Sequence, residues 1–182
     1  MKTIREIASP NHDSRPQDTR IDMLLLHYTG METAADALRR LTDPEAKVSA
    51  HYVIDEDGTV IRMVEEGRRA WHAGEAAWGG ETDINSCSIG IELVNPGHEF
   101  GYRPYTEPQM TELEILAARL VSRYEIPPGR VLGHSDVAPT RKADPGELFD
   151  WERLAKAGVG IWPSETTDRA PWTALNLGDT GP

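Results

Sequence analysis

Two short apolar runs in this chain, Met23-Leu24-Leu25-Leu26 and Val131-Leu132-Gly133, each stop on a histidine, His27 and His134. Apolar stretches this short, bounded by polar or turn residues, read as buried strands. Between them lies the clearest helical signal in the chain. Met110, Leu113, Ala117, Leu120 and Tyr124 recur at steps of three and four, behind a capping box formed by Thr106 and Gln109. The spacing predicts a helix over about 107–125, stopped by Ile126-Pro127-Pro128-Gly129. Its apolar stripe requires a sheet to pack on.

The other segments agree. Ala34, Ala37, Leu38 and Leu41 predict a helix over 33–41, and residues 51–64 read as two strands joined by a turn at Asp57-Gly58. Residues 88–94 alternate Ile89, Ile91 and Leu93 against Ser88, Gly90 and Glu92, which puts Glu92 on the face opposite the isoleucines, read here as open. A last helix is expected from near Phe149 to before Gly158. The first twenty residues read as polar and irregular. Helices interleaved with strands predict an α/β fold: one domain over 1–163, with a central mixed β-sheet flanked by α-helices. Residues 164–182 lose periodicity and read as a weakly ordered tail, with Trp172 and Leu175 as docking candidates.

Composition narrows the function. A net charge of −11 with no basic block argues against nucleic acid as a partner. A single cysteine, Cys87, excludes an internal disulfide and a Cys-rich zinc knuckle, and it reads as a small buried residue. The N-terminal residues carry no apolar run like a signal peptide, and Met23–Leu26 is too short to span a bilayer. The expectation is a cytoplasmic protein without membrane contact.

Ligands collect at strand ends in open α/β sheets. If the two histidine-ending strands are neighbours, His27 and His134 share a crevice. A carboxylate from the loop after His134 then completes a His, His, Asp set, the catalytic zinc arrangement of three protein ligands and an open position. A rival reading takes His134-Ser135-Asp136 as the H-x-D of a non-haem iron triad. No histidine follows residue 134 to complete it, so Asp136 reads better as a turn or capping residue.

The segments GHSDVAPTRKADPG (133–146), LFDW (148–151), LLLHYTG (24–30), VSAHYVID (48–55), AWHAG (70–74) and SIGIELVNP (88–96) together resemble the zinc N-acetylmuramoyl-L-alanine amidases of the AmpD and AmiD type. The resemblance covers about residues 8–163, and it implies the fold shared with peptidoglycan-recognition proteins. It implies Zn2+ held by His27, His134 and Asp144, with Glu92 as general base and Lys142 as the partner of a tetrahedral oxyanion. It places His51 beside the cleft without ligating, and Trp71, His72, Ala73 and Gly74 on a substrate-binding wall. Asn11 and Arg15 are expected to pack near the site, and His12 and His98 to be exposed.

Two positions depart from the pattern. Asp83 stands where many members carry an arginine for a stem-peptide carboxylate, so that recognition either comes from elsewhere, with Arg68 or Arg69 as candidates, or is weaker. Ala50 stands where phage amidases carry a catalytic tyrosine, so Tyr52 does not inherit the role. The implied substrates are peptidoglycan fragments, including 1,6-anhydro-muropeptides, cut between N-acetylmuramic acid and L-alanine. The alternatives are a non-catalytic peptidoglycan-binding module and a phage-type lysis amidase.

Overall fold

The computed structural model describes residues 4–163, so the expected tail over 164–182, with Trp172 and Leu175, lies outside the described residues. In chain order the elements are β1 (Arg5–Glu6), β2 (His12–Ser14), β3 (Met23–Tyr28), α1 (Ala34–Thr42), β4 (Tyr52–Ile54), β5 (Val60–Arg62) and β6 (Arg68–Ala70). They continue with α2 (Ile84–Cys87), β7 (Ser88–Leu93), α3 (Gly97–Phe100), α4 (Glu107–Tyr124), β8 (Val131–Gly133), α5 (His134–Val137) and α6 (Trp151–Lys156).

The central sheet runs in the order β1-β5-β4-β7-β3-β8, and β2 and β6 form a separate two-stranded ribbon. β3 is parallel to β7 on one side and to β8 on the other, while β4 and β5 form the expected antiparallel hairpin. Strands covered on both faces read as continuous apolar runs, and the Met23–Leu26 run is completely enclosed. Leu24 and Leu26 join Ile89, Ile91 and Leu93 in a core closed by Met110, Leu113, Leu116, Ala117 and Leu120 of α4. Met23 and Leu25 point the other way, into a smaller cluster with Ala73, Ile84, Cys87 and Leu132. His27 continues the Met23–Leu25 face, away from α4.

Three sequence expectations need correction. The first twenty residues contain two strands: β1 pairs parallel with β5, and β2 pairs antiparallel with β6. At two and three residues they are too short to show an alternation of their own. The face of β7 bearing Ser88, Gly90 and Glu92 is buried, not open, because the loop after β6 folds an imidazole layer over it. The last apolar run stops at Gly133, and His134 opens α5. There Asp136 accepts a hydrogen bond from the Gly133 N–H at 2.8 Å, which turns the chain out of the sheet. Asp136 therefore caps, as expected.

Gln109 does more than its capping box. The box is complete, with the Gln109 N–H donating to Thr106 Oγ1 and Gln109 Oε1 accepting from the Thr106 N–H. In addition, Gln109 Nε2 donates to the carbonyls of Ile54 and Val94 at 3.2 and 2.8 Å, binding the start of α4 to the ends of β4 and β7. Replacing it with alanine keeps the Thr106 cap on the backbone N–H but removes the return half of the box and the side-chain donor to both carbonyls, of which Ile54 still accepts from the Val94 N–H. Gln109→Ala is expected to cost about 1–3 kcal/mol in urea unfolding, with metal content unchanged. Cys87 is buried as expected, and burial together with the Asp22 carboxylate pushes its thiol up to about 11. Its alkylation at pH 8 should run on the order of a hundredfold slower in the native protein than in the urea-unfolded chain, as followed by mass spectrometry. Equal rates would show that the site opens.

Candidate metal centre and catalytic cleft

Parallel register sets the site. His27 is level with Glu92 across the β3–β7 ladder, and Leu26 is level with Gly133 across β3–β8, so the residue after each of the latter two is a histidine. His27 Nδ1 and His134 Nδ1 come within 2.9 Å of one another, and each lies 3.0 Å from Asp144 Oδ2. All three residues are buried. Among the described residues they are the group able to hold a metal ion. Asp136 and His51 are not part of it.

The distal nitrogens are already engaged. His134 Nε2 donates to the Ala73 carbonyl at 2.8 Å, a contact that only an N–H can make. His27 Nε2 meets His72 Nδ1 at 3.1 Å. With its Nε2 proton committed, a neutral His134 presents the Nδ1 lone pair to Asp144, leaving acceptor atoms crowded together with no donor among them. That donor set suits a cation, and second partners on the far nitrogens are the usual companions of metal-binding histidines. Burial, and then the adjacent His134, lower the His27 pKa to about 4, which favours the neutral ligand form.

A cleft of about 160 Å3 opens over these three residues, and Glu92, Lys142, His72 and Tyr28 are among the other residues that line it. Glu92 Oε2 is buried and has no hydrogen-bond partner among the described residues. Burial, reinforced by Asp144, pushes the Glu92 pKa well above the usual carboxylate value, and Lys142 opposes the shift. The cleft continues into a wider groove of about 410 Å3 that includes Trp71, His72, Ala73 and Gly74, with Lys47, Arg69, Arg141 and Lys142 around it. Asp13 is the one acidic residue lining that groove.

The expected neighbours fall into distinct places. His51 lies behind the cleft: its Nδ1 accepts from the Gly90 N–H at 3.0 Å and its Nε2 donates to the Arg68 carbonyl at 3.1 Å. Arg15 donates to the carbonyls of Glu66, Asn85, Ser86 and Ser88, tying the N-terminal block beneath β7. Asn11 acts through Ser49, whose Oγ donates to the Asn11 carbonyl and accepts from the Trp71 N–H. Arg69 reaches the groove and pairs with Asp83 at 2.6 Å, whereas Arg68 turns to His12 and Ser14 on β2. His98 is exposed as expected, but His12 is half-buried because it accepts from Arg68 Nε at 3.3 Å. Sequence reasoning missed the Ala73 carbonyl, which receives both His134 Nε2 and Arg141 Nη2. No side-chain pattern signals a backbone acceptor.

The sequence profile of the N-acetylmuramoyl-L-alanine amidases matches residues 17–147. The amidase AmiD of Escherichia coli is 40% identical over 175 residues, covering 86% of this chain and 62% of AmiD, so the chain spans less than two thirds of that relative. The 1,6-anhydro-N-acetylmuramyl-L-alanine amidase AmpD of Enterobacter cloacae is 37% identical over 167 residues, covering 82% of this chain and 87% of AmpD. Among solved structures, an AmpD crystal structure aligns with a TM-score of 0.76 at 32% identity, covering 86% of this chain and 95% of that one. Escherichia coli AmiD in complex with the substrate anhydro-N-acetylmuramic acid-L-Ala-D-γ-Glu-L-Lys aligns with a TM-score of 0.74 at 38% identity, covering 82% of this chain and 63% of that one. The profile match includes His27, Glu92, His134, Lys142 and Asp144, and on that ground, with the AmpD likeness, the chain belongs to the N-acetylmuramoyl-L-alanine amidase family.

Proposed function

We propose that this protein hydrolyses the amide bond between the lactyl group of N-acetylmuramic acid and the L-alanine of the stem peptide, with Zn2+ held by His27, His134 and Asp144. The observation that carries the reading is the convergence of their three donor atoms within 3.0 Å, under a cleft that also holds Glu92 and Lys142. Bound zinc supplies a Lewis acid, a water of pKa near 7 and a positive charge that brings the Glu92 carboxyl down. Glu92, with an unpartnered oxygen in the cleft, takes the proton of the attacking water and delivers it to the leaving amine nitrogen. Lys142 brings its ammonium to the same cleft, where it balances the oxyanion of the tetrahedral intermediate.

The groove beside the centre suits an acidic peptide. Lys47, Arg69, Arg141 and Lys142 line it in a chain whose net charge is −11. For a stem-peptide carboxylate we assign Arg69, which faces the groove, ahead of Arg68, which does not line it. Trp71, His72, Ala73 and Gly74 line the same groove. The substrates we infer are peptidoglycan fragments, anhydro-muropeptides included, in wall recycling or turnover. The activity named for AmpD and the ligand in the AmiD complex support that choice. A module that binds without cutting would not need Glu92 and Lys142 beside a complete ligand set.

Incubation of the purified protein with an anhydro-muropeptide should release the stem peptide, stop on adding chelator and resume with zinc. Intact substrate in zinc-replete buffer would overturn the reading. Glu92→Gln should keep its zinc and lose roughly 10²–10⁴ in kcat, and Lys142→Ala should lose roughly 10²–10³. His27→Ala should bind little zinc by metal analysis, and a normal load would refute its place in the ligand set.

A further inference from the structure

Resting on that zinc reading, we propose that Ser88 and His72 form a one-way hydrogen-bond relay that decides which nitrogen of His27 is offered to the metal. The direction is forced from the far end. The Ile84 carbonyl can only accept, so the Ser88 hydroxyl, 2.6 Å away, donates to it. Having spent its one proton, Ser88 Oγ accepts from His72 Nε2 at 3.3 Å. A neutral His72 protonated on Nε2 has a bare Nδ1, and this nitrogen accepts from His27 Nε2 at 3.1 Å. His27 is left with its lone pair on Nδ1, the nitrogen that faces His134 and Asp144. On the other side of the centre the Ala73 carbonyl imposes the same tautomer on His134 in one step.

The surroundings hold the relay in place. Ser88, His72 and His27 are all buried. The rings of His27 and His72 meet edge-on, with centroids 5.2 Å apart. The His72 and Ala73 backbone N–H groups both donate to Asn85 Oδ1, fixing the loop that carries the ring. Gly90 lies directly below, where an added Cβ would come within 2.5 Å of His72 Cγ. The small residues of this face of β7, Ser88 and Gly90, thus serve the ring: one as its hydrogen-bond partner, the other by leaving it room. His72 is a positioning residue, acting on zinc through His27.

Three variants test this by zinc affinity against a chromophoric chelator, by the visible spectrum of the cobalt(II)-substituted protein and by melting of the metal-free protein. His72→Phe fills the space without an acceptor and should weaken zinc binding about 10–100-fold, with a changed cobalt spectrum. Ser88→Ala should act in the same direction more weakly. His72→Asn keeps an acceptor near the position of Nδ1 and should recover zinc binding to within a few-fold of wild type. Unchanged zinc affinity in both His72→Phe and Ser88→Ala would overturn the relay while leaving the zinc reading intact. Failure of the wild-type protein to bind zinc would overturn both. Loss of affinity that follows the melting of the metal-free protein and is not recovered by His72→Asn would reduce His72 to a packing residue.

Discussion

Because β3 is hydrogen-bonded in parallel to β7 on one side and β8 on the other, its C-terminal end is the one place where residues 27, 92 and 134 reach the same height. Parallel neighbours need crossover connections, so residues that meet here are far apart in the chain. The crossovers also cover both faces of the sheet, which is why Met23–Leu26 is wholly apolar. The histidine after that run is the first residue of β3 whose side chain serves chemistry instead of packing. A one-residue slip in either ladder would turn a ligand or the acid to the α4 face.

The same geometry produces an interior that is polar on one side. Opposite α4, the sheet is covered by His51, His72, His27 and His134 where the face could have been apolar. Buried imidazoles are tolerable only if their nitrogens are paired. Here the outer partners are backbone atoms or small side chains: the Gly90 N–H and Arg68 carbonyl for His51, Ser88 for His72, the Ala73 carbonyl for His134. Such partners cannot swing away, so the lone pairs facing Asp144 stay aimed before any ligand arrives. Burial acts in the same sense on charge, keeping His27 neutral.

Much of this was legible. The α4 stripe, its capping box, the Asp57-Gly58 turn and the two apolar runs ending on histidine are local signals, carried by residues within one or two turns of each other. The face of Glu92 followed from alternation alone, but its burial did not, because the covering layer comes from residues 71–74, some twenty positions upstream. The short strands β1, β2 and β6 exist through their partners and leave no periodic trace. The choice between Arg68 and Arg69 was likewise open, since adjacent residues on a strand take opposite faces and nothing local says which faces the groove.

The sequence by itself determined the alternation of elements, the residue types able to bind a metal and move a proton, and an acidic balance that argues against nucleic acid. Those properties depend on side-chain chemistry and short-range spacing. Only the tertiary structure decided that the donors of His27, His134 and Asp144 converge, and that His72 and Ala73 orient the ligands from behind. These depend on strand register and on hydrogen bonds between residues as many as 117 positions apart, and no local pattern encodes a contact across that distance.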